Sequence, residues 1–498
     1  MLRKFKYALC LHPMYWIIAH DTLCAEREPL WGEHTIDKYI DRCRRNLASM
    51  DAHPDVRFGF DFSAMELEDM AKRAPDVIDH LKRLRQEGRT CFVNGTYSQP
   101  HLQIFGSESN YRQFKIGTDT IRKVVGHRVT AYAAQEPGLN EQTPQLLRAF
   151  GYKFAQVPGF SFTIVFDGDH EILHHYERFF HLDFIHGDEF TNWKSLDGST
   201  IPLYLSTQGD TDYENIKFEL RKDMMRGPEI VASFHDMIEV GDEWINKISE
   251  YGEFVLLEKA LADRIKKCLP TSSARVYCYW SYGGQGVWAE ELVRTIRLAE
   301  NAALRAEAMA AIAKHLVKRP AEDFTDRWKT ILGAQHHDAC WAGGPELRRK
   351  SIGWLGERID QCESTVSSAA NAICDRIDTS WTEGGSLIVV FNPYPARQQD
   401  MIRANVRFDV GEMQETELRN EAGRAIPRQL DAAERYNDQS LKQARIVFQE
   451  ELWVSHRPSD LSASRQTPSS NGSVGTGAEE FDDNFRAGVQ RRDELSVP

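Results

Sequence analysis

The chain has 498 residues, of which 41% are hydrophobic, enough for two or more globular domains with cores of their own. Its formal net charge of −13 disfavours nucleic acid and anionic membranes as partners, since both carry negative charge themselves. No run of about 18 apolar residues occurs, so we expect no transmembrane helix. The nine cysteines are scattered and form no CxxC pair, a pattern typical of reduced thiols in a cytoplasmic protein.

Residues 1–285 alternate short apolar runs with helical patterns. The first run, Tyr7–Leu11, predicts a buried strand rather than a signal peptide, because no small-residue cleavage site follows it. Further strands are predicted at Val56–Phe62, Thr90–Val93 and Thr130–Ala134, and helices at Thr35–Met50, Met65–Gln86, Tyr111–Val125 and Gln142–Phe150. This order predicts parallel strands covered by helices, a fold whose catalytic residues follow the carboxyl ends of the strands.

The character of the sequence changes at Gly283–Gly286. Residues 286–380 predict an antiparallel bundle of three helices, at Ala289–Leu316, from Pro320 onward, and at about Leu347–Ile377. Strand-like runs at Leu387–Phe391, Met401–Val410 and Ala425–Leu430 predict the start of a β-domain over residues 385–452. Residues 453–498 are rich in Ser, Gly, Pro and charge, so we expect a disordered tail.

Three residues that directly follow predicted strands are candidates for chemistry. Glu136 comes after Thr130–Ala134 and before a Pro-Gly turn, so it is either a nucleophile or metal ligand, or a solvated loop acid. Asp236 follows the apolar run Ile230–Phe234 and is either a general acid or the cap of a turn. His12 follows the first strand and is either a zinc ligand or a hydrogen-bonded core histidine.

The segment Gly333–Gly344, with the sequence GAQHHDACWAGG, places two histidines and an acid behind an amphipathic helix. Adjacent histidines at a helix end point in different directions, so at most one of His336 and His337 is expected to bind a metal. The alternative is that both cap helix carbonyls, which favour a histidine near a helix carboxyl end. Asp338 completes the group.

The segment Val93–His101, with the sequence VNGTYSQPH, places polar side chains behind a predicted strand. Asn94, Tyr97 and Gln99 combine amides with an aromatic ring, and such groups suit sugar hydroxyls and sugar faces. The alternative is an ordinary turn around Asn-Gly.

In collinear order over roughly residues 1–430, these segments resemble glycoside hydrolase family 38, the α-mannosidases. GAQHHDA is similar to the QHHDA segment of that family, and the segment around Glu136, followed by PQLLRAFGY, is similar to the stretch that carries its nucleophile. FVNGTYSQPH and WKSLDGSTIPLY resemble two further strand ends of the family. VVFNPYPARQQDMI resembles the Phe-Asn-Pro opening of its β-domain.

The resemblance implies a distorted parallel (β/α)7-type barrel, then an antiparallel three-helix bundle and β-sandwich domains. It also implies a retaining exo-hydrolase in which zinc binds two hydroxyls of mannose. Carried onto this sequence, Glu136 takes the place of the nucleophile that also contacts zinc, and Asp236 that of the acid/base. His12 and His337 take the places of zinc-binding histidines. The substrate would be bound by Asn94, Tyr97, Gln99, His336 and Asp338.

Two positions depart from family 38. Met14 stands where the family's His-x-Asp pair has its carboxylate, which predicts weaker zinc binding. Glu136 stands where the family has Asp, although related barrel hydrolases of family 57 use Glu there. We therefore predict a cytoplasmic, zinc-containing glycosidase with a carbohydrate substrate. A catalytically impaired carbohydrate-binding protein and a sugar deacetylase-like hydrolase stay open as alternatives, which sugar binding without turnover and acetate release would indicate.

Overall fold

The computed structural model describes residues 5–12, 36–134, 138–158, 163–167, 170–172, 190–206, 230–236, 240–265, 271–272, 275–278, 286–337, 339, 344–377, 387–394, 396–412, 415–420 and 423–452. The chain divides into two compact units, one made of Met1–Glu300 and Asp326–Gly356 and the other of Asn301–Thr325 and Glu357–Pro498. The predicted disordered tail at 453–498 lies outside the described residues.

Strands and helices alternate through the first unit and strands dominate the end of the second. The strands are β1 (Phe5–His12), β2 (Phe58–Phe60), β3 (Thr90–Phe92), β4 (Ala131–Ala133), β5 (Phe154–Pro158), β6 (Thr163–Asp167), β7 (His170–Ile172), β8 (Phe190–Lys194), β9 (Thr200–Ser206), β10 (Ile230–Asp236), β11 (Gly252–Phe254), β12 (Thr271–Ser272), β13 (Arg275–Cys278), β14 (Gln398–Arg407), β15 (Arg428–Arg435) and β16 (Leu441–Leu452). The helices are α1 (Ile36–Ala52), α2 (Ala64–Arg73), α3 (Pro75–Gln86), α4 (Ser107–Val125), α5 (Thr143–Ala149), α6 (Asp242–Tyr251), α7 (Leu257–Arg264), α8 (Gly286–Val317), α9 (Thr325–Gly333) and α10 (Gly344–Cys374). None of the described helices combines the length and apolar character that a membrane span requires.

The predicted parallel α/β organisation is confirmed by two sheets of the first unit. One sheet has the order β10-β1-β2-β3, with β11 beside β1, and every pair in it is parallel. The other has the order β12-β8-β9-β5-β4, in which only the β8–β9 pair is antiparallel. The short strands β2, β3 and β4 are buried throughout, as expected of parallel strands covered on both faces. Closure of these strands into a barrel stays a prediction.

The helix predicted over Met65–Gln86 is in fact two helices that meet at Pro75. Proline has no backbone N–H and its ring clashes with the preceding turn, so it begins a new helix rather than continuing one. The first of the two helices starts at a capping box, in which the Ser63 hydroxyl accepts from the Glu66 N–H and the Glu66 carboxylate accepts from the Ser63 N–H.

The second predicted bundle helix begins later than expected, at Thr325 rather than Pro320. The cause is Asp323, whose carboxylate accepts from the Thr325 N–H at 2.9 Å and from its hydroxyl at 2.6 Å. Such a side-chain acceptor satisfies a donor that the first helical turn leaves without a partner. The first and third helices, α8 and α10, lie close to their predicted positions, and their packing as a bundle stays a prediction.

The predicted start of a β-domain is confirmed as an antiparallel sheet in the order β14-β16-β15. Strands β14 and β15 lie within five residues of the predicted runs Met401–Val410 and Ala425–Leu430, whereas β16 was not predicted. One face of the sheet carries a core that includes Ile446 and Phe448 of β16. The run predicted at Leu387–Phe391 forms no strand of its own in the described part of the chain, but it adds Ile388 and Val390 to this core.

Helix α4 contacts the backbone that follows β3 through Gly117. A Cβ atom on Gly117 would lie 2.3 Å from the Gly95 carbonyl oxygen and 2.7 Å from the Tyr97 nitrogen. Backbone cannot move aside as a flexible side chain can, so Gly117→Ala should lower the free energy of unfolding by about 1–3 kcal/mol, as overpacking does elsewhere. Urea unfolding followed by circular dichroism measures this change.

The matched control is Gly353→Ala in the helix α10, where an added Cβ meets no atom within 4 Å. Alanine has the higher helix propensity, so this variant should gain up to about 1 kcal/mol. Equal changes in the free energy of unfolding for the two substitutions would show that the close contact of Gly117 with the backbone after β3 is not the cause of the loss.

Candidate active site

Polar residues gather at one edge of the first sheet, where its parallel strands end. His12 is the last residue of β1, and its register partner in β10 is Asp236. Strands β2 and β3 continue the same register, so Asp61 directly after β2 and Asn94 shortly after β3 reach the same edge. The side chains of His12, Asp61 and Asn94 are adjacent because the carboxyl ends of parallel strands lie side by side.

Asp61 is fully buried and accepts hydrogen bonds from three side chains at this edge. Its Oδ1 accepts from Asn94 Nδ2 and from Gln99 Nε2, both at 3.0 Å, and its Oδ2 lies 3.1 Å from His12 Nδ1. A carboxylate only accepts, so His12 Nδ1 carries the proton, and in a neutral ring Nε2 then carries the lone pair. Asp61 thus fixes the orientation of His12 and holds both amides.

The loop between Asn94 and Gln99 has backbone strain at both ends. Asn94 has a φ of 67° and Gln99 a φ of 57°, in the left-handed region of backbone conformation that residues other than glycine rarely adopt. Such residues cost about 1–3 kcal/mol each unless their surroundings hold them. Here Asn94 Oδ1 accepts from the Thr96 N–H and hydroxyl, and Thr96 Oγ1 accepts from the Gln99 N–H at 3.1 Å. The loop is therefore held in place before any ligand binds.

The segment after α9 reaches this loop through His337. The Gln99 carbonyl accepts from His337 Nδ1 at 2.8 Å and from the His337 backbone N–H at 3.3 Å. Because a carbonyl only accepts, Nδ1 is again the protonated nitrogen of the ring. An isolated β-bridge between Pro100 and His336 adds a second backbone contact. His337 is thus held in the same tautomer as His12.

Four buried histidines, His12, His101, His336 and His337, surround one another at the site. The His337 ring centroid lies 4.4 Å from that of His336, 5.5 Å from that of His101 and 6.3 Å from that of His12. Burial, followed by the proximity of the other three histidines, holds the pKa of His336 well below its ordinary value. We therefore expect His336 to be neutral at physiological pH.

A buried amide network ties the loop to the segment after α9. The Gln113 side chain lies within hydrogen-bonding distance of Ser98 Oγ, the Leu332 carbonyl and Gln335 Oε1, at 2.9–3.1 Å. Gln335 Nε2 donates in turn to Glu300 Oε1 at 3.0 Å. These side chains are at most 3% exposed. The buried network therefore holds the segment from Leu332 to Gln335, which directly precedes His336 and His337.

The residues so placed line a small pocket at the carboxyl ends of the strands. Its lining combines two imidazoles, a carboxylate and two amides with a phenol ring and small apolar groups. The lining residues are His12, Asp61, Asn94, Gln99, Pro100, Tyr132, Ala134 and His337. A concave site with a few convergent, fixed polar groups is typical of a binding site for a small polar molecule.

Four of the predicted site residues meet at this pocket: His12, Asn94, Gln99 and His337. His336 lies directly behind His337. Tyr97 lies elsewhere, since its hydroxyl donates to Glu68 Oε2 of α2 at 3.2 Å. For Asp236 the backbone is described, opposite His12, whereas Glu136 and Asp338 lie outside the described residues.

Sequence reasoning missed Asp61 and Tyr132. The predicted strand Val56–Phe62 includes Asp61 as an internal residue. In the structure β2 ends at Phe60, so Asp61 directly follows the strand and lies at its carboxyl end. Tyr132 lies in the middle of the apolar strand β4, where an aromatic residue is typical of a core position. No sequence signal distinguishes it from such a residue.

The expected zinc site can be tested in part against the donors that are present. In the portion of the chain that the structure describes, no three His, Cys, Asp or Glu side chains are grouped so that they could hold a metal ion. His12 and His337 supply two nitrogen donors at one pocket. The third donor implied by the resemblance, Glu136, lies outside the described residues.

Comparisons with known proteins place the fold among glycoside hydrolases. Residues 10–209, 200 of the 498 residues, match the model of glycosyl hydrolase family 57. Similar solved structures include an α-mannosidase from Enterococcus faecalis V583, with a TM-score of 0.62, 16% identity, and coverage of 95% of this chain and 57% of that chain. They also include a protein in glycosyl hydrolase family 38 from Enterococcus faecalis, with a TM-score of 0.61, 16% identity, and coverage of 95% and 55%. No curated protein matches the chain.

The expectation of family 38 is thus correct for the fold, whereas the family model that matches is that of family 57. This chain spans little more than half the length of either Enterococcus protein. The shared fold extends over nearly all of this chain.

Proposed function

We propose that the chain is a glycoside hydrolase that retains the configuration of the anomeric carbon, with α-mannosides as its substrate class. One observation carries the proposal: a pocket of fixed polar side chains lies at the carboxyl edge of parallel strands, and all of its lining residues except His337 belong to the segment that matches glycosyl hydrolase family 57. The α-mannosidase of the same fold supports the choice of sugar.

Gln99 is suited to bind a sugar hydroxyl. Its Nε2 donates to the carbonyl and the carboxylate of Asp61, at 2.7 and 3.0 Å, and both of its N–H groups are thereby used. Gln99 lines the pocket, and its Oε1 has no hydrogen-bond partner among the described residues. The amide therefore presents an acceptor at a fixed position, as recognition of a hydroxyl requires.

A retaining hydrolase needs two carboxyl groups about 5–5.5 Å apart, on either side of the scissile bond. Asp236 is aligned in register with His12 at the pocket edge. In the sequence, Glu136 falls two residues after Ala134, which lines the pocket, and two before Gly138, whose backbone is bridged to His101. These neighbours support Glu136 and Asp236 as the pair.

In the proposed reaction, the Glu136 carboxylate attacks the anomeric carbon and Asp236 donates its proton to the departing glycosidic oxygen. A covalent ester between sugar and Glu136 results, and the alcohol leaves. Asp236 then takes a proton from water, whose oxygen attacks the anomeric carbon and releases Glu136. Two inversions give net retention, and both carboxyl groups return to their starting forms.

Zinc belongs to the same proposal as a cofactor held by His12, His337 and Glu136. When bound, it would supply a positive charge to which sugar hydroxyls coordinate. The protein's own part is to hold both imidazoles through Asp61 and the Gln99 carbonyl, the kind of outer contact that orients metal-binding histidines.

The proposal is tested by incubating the full chain with 4-nitrophenyl α-mannoside, α-glucoside and α-galactoside. We expect the fastest release of nitrophenol from the mannoside, because that sugar belongs to the proposed substrate class. Proton NMR of the first product should show α-mannose before mutarotation. Release of β-mannose would show that the reaction inverts the anomeric configuration and would contradict the retaining mechanism. A lack of turnover on all three substrates would contradict the assignment as a hydrolase.

A second candidate is a carbohydrate-binding protein without turnover. It is favoured by Met14, which stands where family 38 has a metal-binding carboxylate. Binding of a sugar to the pocket without hydrolysis of any aryl glycoside would support this candidate.

A further inference from the structure

Tyr132 is an almost fully buried tyrosine whose hydroxyl has no hydrogen-bond partner in the described part of the chain. The residue is 2% exposed and lines the pocket. Its ring packs against Phe114 and Tyr152, with centroid distances of 6.0 and 6.4 Å. Among the described residues, none forms a hydrogen bond with its hydroxyl. A buried tyrosine usually finds a partner for its O–H, so this group requires an explanation.

The neighbouring Tyr152 shows the usual situation. It is 1% exposed, belongs to the same aromatic cluster, and donates from its hydroxyl to the Asn94 carbonyl at 2.7 Å. That bond helps to hold Asn94 in its left-handed conformation. Tyr152 therefore stabilises the fold through its hydroxyl. Tyr132 lines the pocket, and its hydroxyl forms no hydrogen bond with the described residues.

We propose that Tyr132 is a ligand-binding residue that donates a hydrogen bond to a hydroxyl of the bound carbohydrate. This inference deepens the proposed function and rests on it. Tyr132 and Gln99 line the same pocket, where the phenol can supply a donor and Gln99 Oε1 an acceptor. A sugar hydroxyl both accepts and donates, so a sugar can satisfy the two groups together.

We expect the phenol to keep its proton at physiological pH. Burial, with the charge of Asp61 as the smaller contribution, raises the pKa of Tyr132 far above its ordinary value. The group thus acts as a neutral donor and does not take part in proton transfer. Loss of the hydroxyl should affect ligand affinity rather than the pH dependence of turnover.

The test compares Tyr132→Phe with Tyr152→Phe in the full chain. Tyr132→Phe removes a hydroxyl that contributes nothing to the fold, so its thermal unfolding midpoint should equal or exceed that of the wild type. Tyr152→Phe leaves the Asn94 carbonyl without its donor, so its midpoint should be lower. Differential scanning calorimetry measures both.

Ligand affinity is measured by titration calorimetry with methyl α-D-mannopyranoside, and with the matching glucoside and galactoside. For the sugar that binds most tightly, Tyr132→Phe should weaken binding about three- to tenfold, as expected for one neutral hydrogen bond. Monodeoxy analogues of that sugar then identify the hydroxyl: its removal should weaken binding to the wild type but not to Tyr132→Phe.

The outcomes separate this inference from the proposed function. Turnover by the wild type together with unchanged affinity of Tyr132→Phe overturns the role of Tyr132 and leaves the hydrolase standing. Weaker binding to Tyr132→Phe without turnover by the wild type supports Tyr132 and overturns the hydrolase. A lower midpoint for Tyr132→Phe shows that the hydroxyl serves the fold, and no binding of any of the three sugars overturns both proposals.

Discussion

Replacing Glu136 with Gln should lower hydrolysis of the aryl mannoside by several orders of magnitude, while binding of the sugar survives. The amide keeps the shape of the side chain and most of its hydrogen bonding, but it is no nucleophile. If the residue acts only in the transition state, kcat and kcat/KM should fall together. Initial rates and titration calorimetry with the same sugar measure the two effects.

The control for this change is Glu108→Gln. Glu108 forms a surface ion pair with Arg112 on α4, at 2.8 Å, and is 39% exposed. Loss of such a pair costs less than about 1 kcal/mol and should leave turnover unchanged. If Glu136→Gln retains wild-type turnover, Glu136 is the solvated loop acid of the alternative interpretation, and the nucleophile lies elsewhere.

Asp61→Ala should both destabilise the protein and abolish its activity. The substitution leaves the Nδ1–H of His12, the amide of Asn94 and the amide of Gln99 without the acceptor that they share. Removal of one partner from a buried charged group costs about 3–5 kcal/mol. Urea unfolding at constant pH measures this loss, provided that the slope with denaturant stays constant.

Asp61→Asn separates charge from shape. An asparagine of the same size keeps one oxygen as an acceptor. Its amide nitrogen is a donor, however, and would face an N–H donor at the place where the second carboxylate oxygen of Asp61 accepts a hydrogen bond. We expect a smaller loss of stability than for Asp61→Ala, with turnover still lost because His12 is no longer held. Asp119→Asn, which breaks the surface ion pairs of Asp119 with Lys115 and Arg122, is the control and should change stability by about 1 kcal/mol or less. Wild-type activity in Asp61→Asn would contradict the assignment of Asp61 as a positioning residue.

Position along the chain predicts where two of the candidate residues lie. His12 ends the first strand and Asn94 follows the third, and both line the pocket. This agreement in position rests on a simple rule, that parallel strands present their carboxyl ends at a common edge. The rule needs only the alternation of strands and helices, which the apolar periodicity of the sequence reveals.

What the sequence did not reveal depends on contacts between distant segments. The place of Tyr97 is set by Glu68 of α2, and the orientation of His337 by the Gln99 carbonyl. The left-handed conformations of Asn94 and Gln99 likewise arise from side chains that meet only after folding. Local propensity contains no information about such contacts, so these features could not be predicted from the sequence.

The contact between Gln99 and His337 joins residues that are 238 positions apart. A ribosome that adds about 5–20 residues per second needs roughly 10–50 s to synthesise that interval. During this time the loop after β3 has emerged without the segment that covers it, and the buried amide of Gln113 lacks its partners on that segment. The pocket is therefore completed only after residues 326–356 are made, and a nascent chain stalled before them should be exposed to proteases and chaperones at this place.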